Sequence, residues 1–148
     1  TIEFNYKKAP FFELINPIIT DIMTSKLNNI SAFNLNAITT ICNYLDISSK
    51  IVPSSVIYNN ADLKAQNRIL DICKIEKATN YINLSGGIDL YSKEDFRKES
   101  IHLNFIKSNN IEYQQFNNEF TPWLSIIDIL MFNSKEEVQK MLTSYQLL

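Results

Sequence analysis

Glycine is almost missing from this chain. Its 148 residues hold two, and they are adjacent, Gly86 and Gly87. The pair forms neither a GxGxxG fingerprint nor a P-loop, because no Gly-Lys-Ser/Thr follows it. Histidine occurs once, at His102. A histidine metal cluster is therefore excluded, no metal ligand set is expected, and a Ser-His-Asp arrangement requires this one ring to meet a serine and an acid. The two cysteines, Cys42 and Cys73, are far apart, in helical patterns among apolar neighbours and outside any CxxC spacing. They read as reduced core residues, which points to a cytoplasmic setting. Arginine is confined to Arg68 and Arg97, and 14 basic residues face 16 acidic ones for a net charge of −2. That balance gives no footprint for a nucleic-acid backbone, and no nucleic-acid partner is expected. No apolar run reaches the roughly 18 residues that a bilayer requires, so no membrane span is expected either. No signal-peptide pattern, repeat or linker interrupts the sequence.

What is present is a chain 45% hydrophobic, of a length suited to one domain with a real core, and residues 1–148 are expected to form a single α/β domain. Phe11, Leu14 or Ile15, Ile18 or Ile19 and Ile22 recur at helical spacing around Pro17, which should bend or divide that helix. Ser31 reads as the cap of a second helix to about Leu45, with Leu35, Ile38, Ile41 or Cys42 and Leu45 on one face. Lys50 to Ser54 reads as a short strand stopped by Pro53. Asn59 or Asn60 can cap a helix to about Ile75, burying Leu63, Ile69, Leu70 and Cys73. Thr79 to Leu84 is the best strand signal, and Ser92 with Asp95 caps a short helix after the glycines. Ile101, Leu103 and Phe105 alternate with His102 and Asn104, the period of a half-buried strand. Thr121-Pro122 suggests the start of an apolar helix WLSIIDILMF, and Ser134 with Glu137 caps a last one. The order strand, helix, strand, helix, strand predicts a parallel sheet layered with helices, Rossmann-like, with a helical C-terminus.

In open parallel sheets ligands sit beyond the carboxyl ends of the strands. Ser54-Ser55, Ser85-Gly86-Gly87 and Lys107-Ser108 fall at three such ends, and Ser54, Ser55, Gly86 and Gly87 are expected to approach a common crevice suited to a phosphate or sugar hydroxyl. Serine and glycine also simply make turns, and both readings stand. Lys64 and Arg68, one helical turn apart, add a face for an anion, although Asp71 follows Arg68 by three residues and can neutralise it. Tyr91, with Phe96, Tyr113, Phe116, Phe120 and Trp123, can stack on a base or sugar or can fill the core. Asp128 and Ser125 are polar residues on an apolar helix. As a structural brace Asp128 would hold a backbone amide or a basic side chain; as a catalytic base it would face the crevice beside the glycines, with Ser125 as a ligand contact.

The stretches NYKKAPFF (Asn5 to Phe12), YINLSGGIDLYSKEDF (Tyr81 to Phe96) and IEYQQFNNEFTPWLSIIDILMFNS (Ile111 to Ser134) together resemble the WbqC-like family of bacterial proteins over almost the whole chain. The resemblance implies a place beside surface-polysaccharide or O-antigen biosynthesis genes, and names no cofactor. Members usually begin with a strand and a Gln-Pro, aromatic and Gly-Tyr motif, and nothing comparable precedes Thr1, so the chain is expected to be the C-terminal part of a longer protein. Many members also carry further glycine or proline near the position of Ser85. Two functions follow as expectations. One is a transferase acting on a nucleotide-linked sugar or related anionic small molecule; the other is a non-catalytic binding or assembly protein that contacts protein partners in glycan biosynthesis.

Overall fold

A computed structural model describes residues 2–116 and 119–148. Asn117 and Asn118, within the third stretch of the resemblance, lie outside the described residues. In chain order the elements are α1 (Ile2–Tyr6), α2 (Phe12–Met23), α3 (Ile30–Tyr44), α4 (Ala65–Ile75), β1 (Asn80–Leu84), α5 (Lys93–Lys98), β2 (His102–Ser108), α6 (Ile126–Phe132), α7 (Lys135–Met141) and β3 (Tyr145–Leu147). Two 3-10 turns, Ser55–Tyr58 and Ser85–Leu90, complete the set. None of the described helices is long and apolar enough to cross a membrane. The chain gathers into two compact units, Thr1–Pro53 with Asn110–Ser144, and Ser54–Asn109 with Tyr145–Leu148.

The first unit is helical. Its core joins Phe12, Ile15, Ile19 and Ile22 of α2 to Leu45, Leu130, Met131 and Val138. Of the two outcomes expected at Pro17, division does not occur, since α2 runs through it. Pro17 and Glu13 are both exposed, so the Glu13 carbonyl that loses its amide partner is left to water. The cap of α3 is Asn29, whose side chain accepts from the Ala32 amide at 2.7 Å, and not Ser31. The face that α3 turns to the core is shifted: Ile41 and, just after the helix, Leu45 are in the core as expected, but Phe33, Ala37 and Tyr44 pack with them, while Ile38 is 55% exposed. Apolar residues lie all round this helix, and the stripe bearing two aromatic rings covers more area than its rival. The apolar helix starts at Ile126, five residues after Thr121, capped by the Ser125 hydroxyl accepting from the Ile127 amide at 3.1 Å. Helix cannot begin earlier because Trp123 holds a left-handed backbone, φ 60°, and Thr121 gives both backbone groups to Gln115. The capping box of Ser134 and Glu137 is present, and it places Val138 in the core.

The second unit carries a small mixed sheet in the order β1-β2-β3. β1 and β2 are parallel, with Tyr81 opposite Leu103 and Asn83 opposite Phe105, as the alternation of Ile101, Leu103 and Phe105 requires. The strand expected at Ile51 is absent, and the third strand is β3, antiparallel to β2 with Ile106 opposite Leu147. Pro53 removes a ladder donor, and the Ser54 hydroxyl instead accepts from the Val56 amide at 3.2 Å to start a 3-10 turn. The chain thus ends its described course on a strand after its last helix. Beneath the sheet Cys73, Phe96, Ile101, Leu103 and Phe105 are buried together, and Tyr81 stacks on Phe96 at 5.4 Å. Asn59 does not cap α4; it closes the first 3-10 turn at φ 48°, and the position before α4 is Lys64, without a side-chain cap.

Neither glycine has positive φ. The requirement at Gly87 is space: a Cβ there would lie 2.8 Å from Asn83 Nδ2 and 3.4 Å from the Tyr91 ring. At Gly86 a Cβ meets nothing within 4 Å. Gly86→Ala is therefore expected to be neutral or stabilising by up to about 1 kcal/mol. Gly87→Ala is expected to cost about 1–2 kcal/mol, as Asn83 must move. Urea midpoints of the two variants, with equal slopes, check the contrast.

Candidate functional site

A buried acid on an apolar helix has to find donors, and α6 supplies Asp128, 3% exposed, at its first turn. Three neutral side chains from distant parts of the sequence converge on it. The Tyr6 hydroxyl donates to Oδ1 at 2.9 Å; the Tyr113 hydroxyl and the Gln115 amide donate to Oδ2 at 2.6 and 2.8 Å. Gln115, 8% exposed, is itself fixed by the Thr121 backbone, accepting from its amide at 2.8 Å and donating to its carbonyl at 3.1 Å. No buried polar side-chain atom among the described residues is left without a partner. No ion pair reaches Asp128 among them, so its partners are neither the backbone amide nor the basic side chain that a brace was expected to use.

Asp128, Tyr6, Gln115 and Thr121 line a pocket of about 230 Å³, with Glu119 and Phe116 also on its wall. Phe132 closes one side, edge-on to Phe116 at 4.7 Å and to Tyr6 at 6.1 Å. An adjoining groove of about 330 Å³ shares Asn5 and Phe116 with this pocket and is bordered by Lys7 and Lys8. Phe116 (φ 39°) and Trp123, beside the lining residue Leu124, both have left-handed backbone, a strain of roughly 1–3 kcal/mol each that sites of function often store. Trp123 is 78% exposed, so its ring is not core.

The other residues singled out from the sequence have structural engagements. Ser125 caps α6 and Ser54 caps its 3-10 turn. Ser55 accepts from the Arg68 guanidinium at 3.0 Å, and the buried Asn60 accepts from Arg68 while donating to Asp71 at 2.7 Å. Asp71 thus restrains Arg68 through an asparagine rather than by direct pairing. Lys64 precedes α4 and is exposed. Ser85, Gly86 and Gly87 open the second 3-10 turn, and Tyr91 packs against Tyr81 and Phe96 as part of the core. Asp128 and Ser125 belong to the first unit; Ser54, Ser55, Lys64, Arg68, Tyr91 and the glycine turn belong to the second. The donors Tyr6 and Gln115 escaped the sequence reading, and Tyr113 entered it only as an aromatic. The signal available was that Tyr6, Tyr113, Gln115 and Asp128 all lie in the stretches NYKKAPFF and IEYQQFNNEFTPWLSIIDILMFNS.

The model of one protein family, the WbqC-like protein family, matches residues 1–140. The chain belongs to the WbqC-like protein family. Among curated proteins this WbqC-like chain is 29% identical over 131 residues to the uncharacterized protein Rv1507c of Mycobacterium tuberculosis (strain ATCC 25618 / H37Rv). The match covers 87% of the chain and 56% of that relative, so the WbqC-like chain spans little more than half the length of the curated relative it matches. No solved structure matches it.

In the WbqC-like pocket, burial and the hydrogen bond to Asp128 push the Tyr6 and Tyr113 hydroxyls up to about 12. Tyr81 in the second unit is also raised to about 12, by burial first and then by the neighbouring Tyr91 hydroxyl. A tyrosine in the unfolded chain ionises near 10. Between these values the folded state holds protons that the unfolded state has released, so stability falls as pH rises. The stabilisation is complete below pH 10 and is lost as pH climbs towards 12. Melting temperature is expected to fall over that window, with these three rings contributing tyrosinate absorbance late. Tyr6→Phe and Tyr113→Phe each remove part of the late rise.

Proposed function

We propose that this WbqC-like chain serves bacterial surface-polysaccharide or O-antigen biosynthesis as a transferase acting on a nucleotide-linked sugar or a related intermediate, with Asp128 receiving a ligand hydroxyl. The observation that carries this reading is the donor set on Asp128. A carboxylate offers about four acceptor positions. Tyr113 and Gln115 occupy two on Oδ2 and Tyr6 one on Oδ1, which leaves one on Oδ1 for a hydroxyl entering the pocket. The three donors are neutral, so none of them cancels the Asp128 charge as a lysine or arginine would. A hydroxyl bonded there gives up its proton to Asp128 as its oxygen bonds the electrophilic sugar carbon of the donor and that carbon's bond to the phosphate oxygen breaks, the nucleotide leaving with the electron pair, while Tyr6, Tyr113 and Gln115 hold the base in place.

The pocket has room for a single sugar ring. Lys7 and Lys8 on the adjoining groove supply cationic heads for the phosphates of a nucleotide link. The pathway rests on the resemblance to the WbqC-like family. A cytoplasmic setting, a Rossmann-like layering around the β1–β2 pair and contacts with other glycan-biosynthesis proteins belong to the same proposal.

Thermal shifts with a panel of nucleotides and nucleotide-linked sugars, followed by turnover assays on the binders, test the reading. A ligand at about a hundred times its Kd stabilises by about 2.7 kcal/mol, which a melt resolves easily. The expected result is a shift with a nucleotide-linked sugar, retained turnover in the wild type, and loss of turnover in Asp128→Asn. A binder that is never turned over would favour the non-catalytic binding or assembly protein, and an Asp128→Asn variant with full turnover would remove Asp128 from the chemistry.

A further inference from the structure

On the second unit, the groove between α5 and β2 has no acid on its lining, and we infer that it is a binding site for a phosphorylated small molecule, with inorganic pyrophosphate as its simplest representative. The groove measures about 410 Å³ and is lined by Lys93 and Arg97 of α5, His102 and Asn104 of β2, and Asn80 of β1. Lys93 and Arg97 stand four residues apart, so their heads rise from one face of the helix a turn apart. His102 is on the exposed side of β2, directly opposite Asn80 in the strand register. The site is separate from the Asp128 pocket and from the Ser54, Lys64, Arg68 and glycine positions, and does not depend on the function proposed above.

The distribution of acids makes the groove cationic although the chain as a whole is not. Helix α5 and the residue after it carry Glu94, Asp95 and Glu99, all committed elsewhere. Lys98 Nζ lies 3.4 Å from Glu94 and 3.0 Å from Asp95, and Lys74 Nζ lies 2.8 Å from Glu99. Asp95 also accepts from the Gln66 amide at 3.0 Å. Lys93 and Arg97 are left with no acidic partner among the described residues, two like charges a turn apart that repel until an anion sits between them. The Lys93 ammonium rests 5.9 Å from the centre of the Phe105 ring, a contact that restrains the side chain without neutralising its charge. A guanidinium fork, an ammonium, an imidazole and two amides offer more donors than one carboxylate can accept, and match the several oxygens of a phosphate or pyrophosphate. The net charge of −2 argues against a polymeric nucleic acid in the same place.

Calorimetric titration of the full chain with inorganic pyrophosphate at low salt tests the site. Wild type is expected to bind, Arg97→Gln and Lys93→Gln to weaken binding about tenfold each, and the double variant to lose it. Lys98→Gln makes the same charge change outside the groove and is expected to stay within about twofold of wild type. Asp128→Asn is expected to bind pyrophosphate unchanged, so failure here and failure of the proposed transferase site remain distinguishable. The His102 ring resonances of the wild type should move during the titration, a measurement that needs no variant. An absence of binding heat, equal losses in Lys98→Gln and Arg97→Gln, or still His102 resonances would each overturn the proposal. So would tighter binding of an oligonucleotide with steep salt dependence, which would assign the groove to nucleic acid.

Discussion

Asp128→Ala is expected to lower the unfolding free energy by roughly 3–5 kcal/mol, because it strands three donors at once. Tyr6, Tyr113 and Gln115 all aim at the missing oxygens, and Gln115 cannot turn away without releasing the Thr121 backbone. Asp128→Asn keeps one acceptor but turns a donor towards other donors, so about half of that loss is expected. Tyr113→Phe removes the hydrogen bond to the Asp128 carboxylate and a longer one, 3.4 Å, accepted from the Gln115 amide, and should cost about 1.5–3 kcal/mol. Urea unfolding at constant slope ranks the three. A cost below about 1 kcal/mol for Asp128→Ala would show that water replaces the carboxylate freely, and that the donors are not held as the structure has them.

Phe96→Ala is the largest effect expected in the second unit, about 3–5 kcal/mol. Phe96 is fully buried, stacks on Tyr81 and meets Tyr91 edge-on at 6.1 Å, and the cluster around it has only four other buried members. So small a core has no spare side chain to move into the void. Hydrogen exchange at the β1 and β2 amides should accelerate by the corresponding factor, whereas Phe96→Leu, which keeps most of the volume, should recover more than half of the loss. Equal protection in Phe96→Ala and wild type would mean that the sheet does not rest on this ring.

What could be read from the sequence followed local chemistry. The Ser92 and Ser134 caps and the alternation around Leu103 depend on residues within a few positions of one another, and all three are present. Readings failed where two local solutions compete. Ser54 either ends a strand or caps a 3-10 turn, α3 offers two apolar stripes, and Thr121 is a good helix cap whose backbone Gln115 has already taken. β3 was hidden for another reason. Three residues have no period to read, and the strand exists because β2 presents a free side to it. For the candidate site, Asp128 was conspicuous as the odd residue of its helix, but its partners were not. The hydroxyl of Tyr6 lies 122 residues away, and nothing in a local pattern ties two such positions together.

That separation has a kinetic consequence. The first unit is split in sequence, its early helices finished long before Asn110 and its closing segment supplied only by Asn110–Ser144. During synthesis the parallel pair β1–β2 and its crossover through α5 are complete before Asp128 exists, so that pair can form while α2 still lacks α6. At roughly 5–20 residues per second, the apolar face of α2 waits several seconds for its partner. Chain collapse around Ile15 and Ile19 in that interval has α1, α3 and the residues beside them to use but neither α6 nor α7, and the carboxylate pocket is among the last features to assemble. A nascent chain halted before Asp128 should therefore be the species most dependent on a chaperone.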